Sequence, residues 1–241
     1  MKKILLIGDP VFHSLSPGMQ NAAFKELGLD LKYESLRITE NKFEMEIKNI
    51  LEARDILGAN ITAPFKTRIL PFVKTSELAV NTIKRGKRGF LGFNTDIFGI
   101  KMLLKNIGFS NKLKVLILGG GGGAIAAKKA VEDLGGFAIG VSRRDTEWEN
   151  IESIAFQSDI VINATGSDNF DFNWERVPEK IMALDLRYPP PKSAFLKNAE
   201  AASHKGFNGL KILLYQGAKS FEIWTGQKAP LDVMSRSIGL A

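Results

Sequence analysis

Five consecutive glycines directly follow a short apolar run, and this junction limits the possible folds more than any other feature of the chain. The apolar run covers residues 114–118, and an alanine-rich segment follows the glycines. Apolar, β-branched residues favour a strand, glycines permit a tight turn, and alanines favour a helix. The spacing fits the G-x-G-x-x-G/A pattern of a dinucleotide-binding turn. The residues assigned to this turn are Gly119, Gly120, Gly121, Gly122, Gly123 and Ala124.

The physical reason for this pattern is access to phosphate. Because glycines have no side chains, their backbone N–H groups can approach a pyrophosphate closely, and the positive end of the following helix faces the pyrophosphate. A small residue at Ala124 lets helix and strand pack. A flexible glycine loop is the alternative when the motif is taken alone, because short motifs also match by chance.

A second apolar strand, over 137–141, ends in Ser142, Arg143, Arg144 and Asp145. The ribose-binding position of the fingerprint lies about twenty residues past the glycines. An arginine there accepts the 2′-phosphate of NADP, whereas an acidic residue binds the 2′-hydroxyl of NAD. The two arginines favour NADP, and Asp145 leaves NAD open. A solvated charge cluster is the alternative.

Composition excludes several classes of protein. The 241 residues include no cysteine, so no disulfide or cysteine-built metal site is expected, and His13 and His204 are the only histidines. The net charge of +7 is spread along the chain, which predicts a small anionic substrate and a phosphorylated cofactor rather than nucleic acid. No apolar run reaches the length of a membrane span, and Gly8 to Pro10 interrupt the first one. We therefore expect a soluble, cytoplasmic protein without metal or membrane partner.

The hydrophobic pattern alternates between strands and helices, which predicts an α/β fold with parallel sheets covered by helices. A new strand–turn–helix unit opens after 106–113, the expected domain boundary. Strands are predicted at 3–8, 32–38, 59–62, 137–141, 159–163 and 181–185, with a strand or turn at 89–93. Helices are predicted at 17–27, 41–53, from about 66, and at 95–108, 192–204, 210–224 and 231–237.

Three polar clusters could carry chemistry outside the glycine turn. Ser14 and Ser16 could hold a carboxylate or polyol, although Ser16 could instead cap a helix. Lys66 follows a strand end and a proline, so it could donate a proton in a cleft, although most lysines are solvated. Thr95 and Asp96 lie beside a helix start, where either residue could be an ordinary N-cap.

In chain order, these clusters and four further segments resemble the shikimate dehydrogenase family. The resemblance covers almost the whole chain, and its motifs are specific in combination. The segments are GDPVFHSLSP (8–17), NITAPFK (60–66), VNT (80–82), GFNTDIFG (92–99), NAT (163–165), DLRYPP (185–190) and YQGAKSFEIWTG (215–226).

The resemblance implies two domains with the active site in the cleft between them. A substrate-binding α/β domain with a mainly parallel sheet would comprise 1–97 and 215–241, and a Rossmann-like NADP-binding domain would comprise 98–214. The implied reaction is the reversible NADPH-dependent reduction of 3-dehydroshikimate to shikimate, in the pathway to aromatic amino acids. A quinate/shikimate dehydrogenase using NAD or NADP, or a nucleotide-binding homologue with little turnover, are the alternatives. The implied assembly is a monomer or a homodimer.

The resemblance also assigns residues by motif. Lys66 and Asp96 would form the catalytic pair, with the ammonium stabilising and protonating the substrate oxygen. The substrate residues would be Ser14 and Ser16 for the carboxylate, Thr62, Asn81 and Gln216 for the hydroxyls, and Tyr188. Asn163, Thr165 and Gly209 would join the glycine turn, Ser142, Arg143 and Arg144 at the cofactor.

The chain departs from the family pattern at three places on the cofactor side. Ile125 stands where an arginine is usual, Gly166-Ser167-Asp168-Asn169 replaces a Gly-Met continuation, and Lys211 replaces a glycine. These departures concern cofactor affinity and choice rather than the fold.

Overall fold

The computed structural model describes residues 1–167 and 170–240. The chain forms two compact units, Met1–Thr95 with Leu214–Ala241, and Asp96–Leu213. The assignment of the first unit to the substrate and the second to the dinucleotide stays a proposal. In the described part of the chain, no helix is both long and apolar enough to cross a bilayer.

Strands and helices alternate along both units. The strands are β1 (Lys2–Gly8), β2 (Leu31–Arg37), β3 (Ile56–Ile61), β4 (Thr82–Gly86), β5 (Gly89–Phe93), β6 (Lys114–Leu118), β7 (Phe137–Val141), β8 (Ile160–Asn163), β9 (Met182–Asp185) and β10 (Gly206–Phe207). The α-helices are α1 (Ser16–Glu26), α2 (Phe43–Glu52), α3 (Thr95–Asn106), α4 (Gly122–Asp133), α5 (Ile151–Ala155), α6 (Ala194–Ala201), α7 (Leu210–Thr225) and α8 (Leu231–Ser237). Short 3-10 helices lie at Glu40–Lys42, Leu70–Phe72, Thr146–Asn150 and Trp174–Arg176.

The first unit is built on a five-stranded sheet with the order β2-β1-β3-β4-β5. β1 pairs in parallel with β2 and β3, whereas β4 pairs antiparallel with β3 and β5. The antiparallel half arises because β4 and β5 are joined by a tight hairpin, in which Gly86 pairs with Gly89. The α/β class is confirmed, and the sheet is mixed. One face buries a core that includes Ile7, Phe43 and Phe65.

The second unit is built on a wholly parallel sheet with the order β10-β9-β8-β6-β7. β6 enters first and has β7 on one side and β8 on the other, so the chain reverses its direction of winding beside β6. In open α/β sheets, ligands bind at the carboxyl ends of the strands at such a switch point. The glycine turn directly follows β6 and therefore lies at that position.

The apolar residues of β6 serve two cores. Val115 and Ile117 pack with the alanines of α4, while Leu116 and Leu118 pack on the opposite face with Val141. Successive strand residues point to opposite faces, so an uninterrupted apolar run indicates a strand covered on both sides. This is why the sequence 114–118 contains no polar alternation.

Two local expectations are wrong. No α-helix begins near Lys66, where the chain instead makes turns and a 3-10 helix at Leu70–Phe72, because Pro71 lacks the N–H that a continuing helix needs. Ser16 is not an N-cap, because α1 already begins at Ser16 and the N-cap position is Leu15, which makes no side-chain capping bond.

Candidate functional site

The glycine turn after β6 is shaped by close backbone contacts. Gly119 has a φ of +130°, and a Cβ there would lie 2.8 Å from the carbonyl oxygen of Ala164, just past β8. A Cβ on Gly120 would lie 3.2 Å from Cβ of Ser142, just past β7. Gly119 needs glycine because its φ is positive and the turn passes close to the backbone at the end of β8, whereas a side chain at Gly120 would be tightly packed against Ser142.

The next glycines open the turn toward the first turn of α4. A Cβ on Gly121 would meet no heavy atom within 4 Å, and a Cβ on Gly123 would lie 3.3 Å from Cδ1 of Leu186. Gly121 is the N-cap, Gly122 begins α4, and the N-cap makes no side-chain hydrogen bond. Ala124 is buried against the sheet. The helix N-terminus thus presents backbone N–H groups beside open space, which suits a phosphate group.

The turn after β7 carries the two exposed arginines. Asp145 closes this turn, because its Oδ2 accepts a hydrogen bond from the Ser142 N–H (2.7 Å). Its own N–H donates to the Ser142 carbonyl oxygen (3.0 Å). The bond from the Ser142 backbone lowers the pKa of the Asp145 carboxyl. The Asp145 carboxylate therefore stabilises the turn by hydrogen bonding to its backbone. The guanidinium of Arg143 lies 5.9 Å from the ring centroid of Trp148. Arg144 is exposed in the same turn.

Asn163 ends β8 with a fully buried side chain. Its Nδ2 donates to Oδ2 of Asp185 (3.1 Å) and to the Ser167 carbonyl oxygen (3.3 Å). Its Oδ1 accepts from the Thr165 hydroxyl (2.7 Å) and the Thr165 N–H (3.1 Å). The Asn163 amide thus holds the turn after β8 in shape. Asp168 and Asn169, part of the sequence departure in this turn, lie outside the described residues.

A buried ion pair follows β9. Asp185 is fully buried, and Nη2 of Arg187 donates to its Oδ2 (2.7 Å), while the Arg187 N–H donates to Oδ1 (2.9 Å). The half-buried Tyr188 comes next in the chain. Gly209 packs on this segment, since a Cβ there would lie 2.0 Å from the Leu186 carbonyl oxygen. The pair therefore fixes the backbone that leads to Tyr188.

In the first unit, the two predicted carboxylate-binding serines lie next to each other. Ser14 is half-buried, Ser16 is buried, and the Ser16 N–H donates to Oγ of Ser14 (3.2 Å). Ser14 thus supplies the hydrogen bond at the start of α1 that a residue at the N-cap would usually supply.

The segment after β3 holds Thr62 and Lys66 in a fixed turn. The Thr62 N–H donates to the Ile7 carbonyl oxygen (2.8 Å), and the Lys66 carbonyl oxygen accepts from the Val80 N–H (2.8 Å). Phe65 between them is fully buried and stacks on Phe43, with 4.1 Å between ring centroids. The backbone of the half-buried Lys66 is therefore held in place by these hydrogen bonds and by the packing of its neighbour Phe65 on Phe43.

Asn81, which directly precedes β4, hydrogen-bonds to the first residue of α3. Its Oδ1 accepts from the Thr95 N–H (2.7 Å), and its Nδ2 donates to Oγ1 of Thr95 (2.9 Å) and to Oε1 of Gln216 (3.2 Å). Asp96 is the second residue of α3 and is half-buried. The helix macrodipole stabilises a negative charge at this position.

The bonds of Asn81 belong to a larger group of buried polar side chains, which we name the amide–hydroxyl cluster. Its members come from four separate parts of the first unit, and each is less than a tenth exposed. They are Asn60, Asn81, Thr82, Thr95, Gln216 and Ser220.

The structure brings some predicted residues together and assigns others to different units. Asn81 contacts Gln216 and Ser14 contacts Ser16 in the first unit, and the glycine turn contacts Ser142 in the second. Lys66 belongs to the first unit, whereas Asp96 and Tyr188 belong to the second. Among the described residues, no cluster of His, Asp and Glu could hold a metal ion.

Sequence reasoning missed several residues that position the site. Thr82 lay inside a motif without a role, and Thr95 was considered only as an N-cap. Ser220 and the ion pair of Arg187 with Asp185 also lay inside matched segments. No local signal identifies Ser220, because its partner Thr82 is distant in the chain, whereas Asp185 and Arg187 are only two positions apart and their opposite charges could have indicated the pair.

Comparison with protein families identifies two matching models. The model described as the shikimate dehydrogenase substrate binding domain matches residues 6–84. The model described as the shikimate 5′-dehydrogenase C-terminal domain matches residues 209–238.

Individual relatives match along their whole length. A shikimate dehydrogenase (NADP(+)) from Crocosphaera subtropica is 33% identical, with 98% of this chain and 95% of that protein covered. One from Staphylococcus haemolyticus is 35% identical, with 98% and 97% covered. The crystal structure of shikimate 5-dehydrogenase from Thermus thermophilus in complex with NADP(H) and shikimate superposes with a TM-score of 0.86 at 30% identity, covering 99% of this chain and 98% of that one.

Proposed function

Because the chain belongs to the shikimate dehydrogenase family, we propose that it catalyses the reversible NADPH-dependent reduction of 3-dehydroshikimate to shikimate. The observation that carries this proposal is the end-to-end match to NADP(+)-dependent shikimate dehydrogenases, which covers 98% of the chain. Both the substrate segments and the glycine turn lie within that match. The protein is therefore an oxidoreductase of a biosynthetic pathway.

The residues of the second unit fit NADP. The turn excludes a side chain at Gly119, Gly120 lies close to Ser142, and Gly121 faces open space at the N-terminus of α4. These features would hold the pyrophosphate, with Asn163, Thr165 and Gly209 shaping the surrounding turns. When bound, NADPH supplies the hydride of the reaction.

The two arginines after β7 would favour NADP over NAD. Arg143 and Arg144 are exposed cations in the turn after β7, where they would bind the 2′-phosphate in paired, charge-assisted hydrogen bonds. Asp145 already accepts the Ser142 N–H. Its carboxylate is thus used to hold the turn, which reduces its capacity to bind a ribose hydroxyl.

The polar residues of the first unit suit a small polyhydroxylated acid. Ser14 and Ser16 would donate their hydroxyls to the substrate carboxylate. Thr62, Asn81 and Gln216 would bind the ring hydroxyls, with both amides fixed by the amide–hydroxyl cluster. Tyr188 stays a predicted substrate residue on the strength of its motif alone.

Lys66 and Asp96 would carry the proton chemistry. Addition of a hydride to the substrate carbonyl carbon places negative charge on its oxygen, which needs a proton. The Lys66 ammonium would stabilise that charge and donate the proton from Nζ. The Asp96 carboxylate would accept a hydrogen bond from a substrate hydroxyl. In the reverse direction, Lys66 would take the proton back.

We place this reaction in the cytoplasm, with a small-molecule substrate and no nucleic-acid or membrane partner. The protein would act as a monomer or a homodimer.

The test is a matrix of four oxidation assays with purified protein, followed at the absorbance band of reduced nicotinamide. Shikimate and quinate are each combined with NADP and NAD. Turnover of shikimate with NADP, at a kcat/KM well above that of the other pairs, supports the proposal. Equal turnover of quinate, or with NAD, would instead support a dual-specificity quinate/shikimate dehydrogenase. No turnover from folded protein would support a nucleotide-binding homologue.

A further inference from the structure

The Ser220 hydroxyl lies at the centre of the amide–hydroxyl cluster. Ser220 is fully buried on α7, one helical turn after Gln216. Its Oγ lies 2.8 Å from Oγ1 of Thr82 and 2.9 Å from Oγ1 of Thr95, and it accepts from Nδ2 of Asn60 (3.2 Å). The same hydroxyl donates to the Gln216 carbonyl oxygen (3.0 Å). One side chain thus joins α7 to the ends of two strands and to the start of α3.

The cluster also fixes the orientation of the Gln216 amide. Oε1 of Gln216 accepts from Nδ2 of Asn81 (3.2 Å), and Oγ1 of Thr95 lies 3.3 Å from the same oxygen. A flipped amide would turn its NH₂ group against the NH₂ group of Asn81, which is a repulsive contact between donors. Oγ1 of Thr95 lies 2.9 Å from Oγ of Ser220, and because Ser220 donates to the Gln216 carbonyl oxygen, the Thr95 hydroxyl donates to Ser220.

We propose that Ser220 is a positioning residue of the reaction, which acts through Gln216 and Thr95. It holds the Gln216 amide in the orientation that a substrate hydroxyl meets, and it holds the residue that directly precedes Asp96. This inference rests on the proposed function, because the role of Gln216 at a substrate hydroxyl belongs to that proposal.

The inference predicts a specific kinetic signature. In Ser220→Ala, the amide of Gln216 loses part of its fixed orientation, so kcat/KM for shikimate falls about tenfold, mainly through KM. The KM for NADP stays unchanged, because the cofactor residues lie in the other unit. A merely structural role would lower the amount of folded protein without separating the two KM values.

Ser158→Ala is the matched control. Ser158 is also buried, and its Oγ donates to the Ile154 carbonyl oxygen (3.1 Å), but it lies in the second unit away from the cluster. It should leave the KM for shikimate unchanged. Thr82→Val removes a second hydroxyl of the cluster with little change in volume, and it should raise the KM for shikimate as Ser220→Ala does.

The deciding experiment is a double-mutant cycle of Ser220→Ala and Gln216→Ala, measured as kcat/KM for shikimate with folding checked by urea denaturation. If Ser220 acts through Gln216, its effect shrinks to less than about twofold in the Gln216→Ala background. An undiminished tenfold effect in that background, or equal rises in both KM values, overturns the inference while the function stands. Absence of shikimate turnover in the wild-type protein would instead overturn the proposed function, and the inference with it.

Discussion

Gly119 is the residue whose replacement tests the geometry of the dinucleotide turn most sharply. In Gly119→Ala, the new Cβ would lie 2.8 Å from the carbonyl oxygen and 2.9 Å from the carbonyl carbon of Ala164. Both are backbone atoms at the end of β8, so they cannot rotate away. The φ of +130° is also strained for a residue with a side chain.

The close contact and the strained φ together determine how much the free energy of unfolding should fall. A backbone conformation of this kind costs about 1–3 kcal/mol, and an overpacked contact costs about 1–3 kcal/mol. Together, Gly119→Ala should lower the free energy of unfolding by about 2–6 kcal/mol. The effect should appear in urea denaturation followed by the fluorescence of Trp148 and Trp174, which both lie in the second unit.

Gly121→Ser is the matched control within the same turn. A Cβ at Gly121 meets nothing within 4 Å, and its φ of −88° suits any residue. Serine is also a preferred N-cap. Stability should therefore change by less than about 0.5 kcal/mol, while the KM for NADP rises because a side chain now stands where the backbone meets the pyrophosphate. The reasoning is refuted if Gly119→Ala is as stable as the wild type.

Three further predictions concern charged side chains. Lys66→Ala should fold normally and lose at least about 100-fold in kcat, because it removes the proton donor; steady-state kinetics and circular dichroism check this. The pKa of the Asp145 carboxyl should lie below its usual value of about 3.9. The carboxylate therefore stabilises the turn fully above about pH 3.9, and this stabilisation is lost as the pH falls through the lower pKa of the folded state. An NMR titration of the carboxyl carbon measures this pKa. Arg187→Ala should destabilise the second unit by roughly 3–5 kcal/mol, because it leaves the buried carboxylate of Asp185 without its cation; urea denaturation checks this.

Matched variants separate these effects from general loss of charge. Lys87 lies exposed at the tip of the β4–β5 hairpin, and Lys87→Ala should keep the wild-type kcat. Arg144→Ala removes an exposed arginine and should leave stability within about 0.5 kcal/mol of the wild type. An Asp145 carboxyl with a pKa at or above its usual value, an active Lys66→Ala, or a stable Arg187→Ala would each contradict the corresponding argument.

The sequence predicted those parts of the fold that depend on local pattern. The strand 137–141 and the helix 231–237 are confirmed at the predicted residues, because apolar periodicity and flanking glycines define both. The helix predicted from about Lys66 failed because Pro71 outweighs the local periodicity. β4 was missed because Lys84 and Arg85 interrupt its apolar pattern, although Arg85 packs on Phe90 and donates to the Ile56 carbonyl oxygen.

The supporting parts of the site could not be predicted, because they depend on contacts between distant segments. Ser220 and Thr82 are 138 positions apart in the chain, and Asn81 and Gln216 are 135 positions apart. The glycine turn and the arginines were found because their residue types have a chemical reason at their spacing, whereas Thr62 and Gln216 were assigned only through the resemblance to the family. Their roles in the reaction remain predictions that the variants above test.

The most direct test of the account is a stoichiometric measurement of the forward reaction. Wild-type protein is mixed with 3-dehydroshikimate and NADPH, and both NADPH consumption and shikimate formation are quantified over time. The account predicts one shikimate formed for each NADPH consumed, with a rate proportional to the protein concentration. NADPH that is not consumed by folded protein, or that is consumed without formation of shikimate, would contradict it.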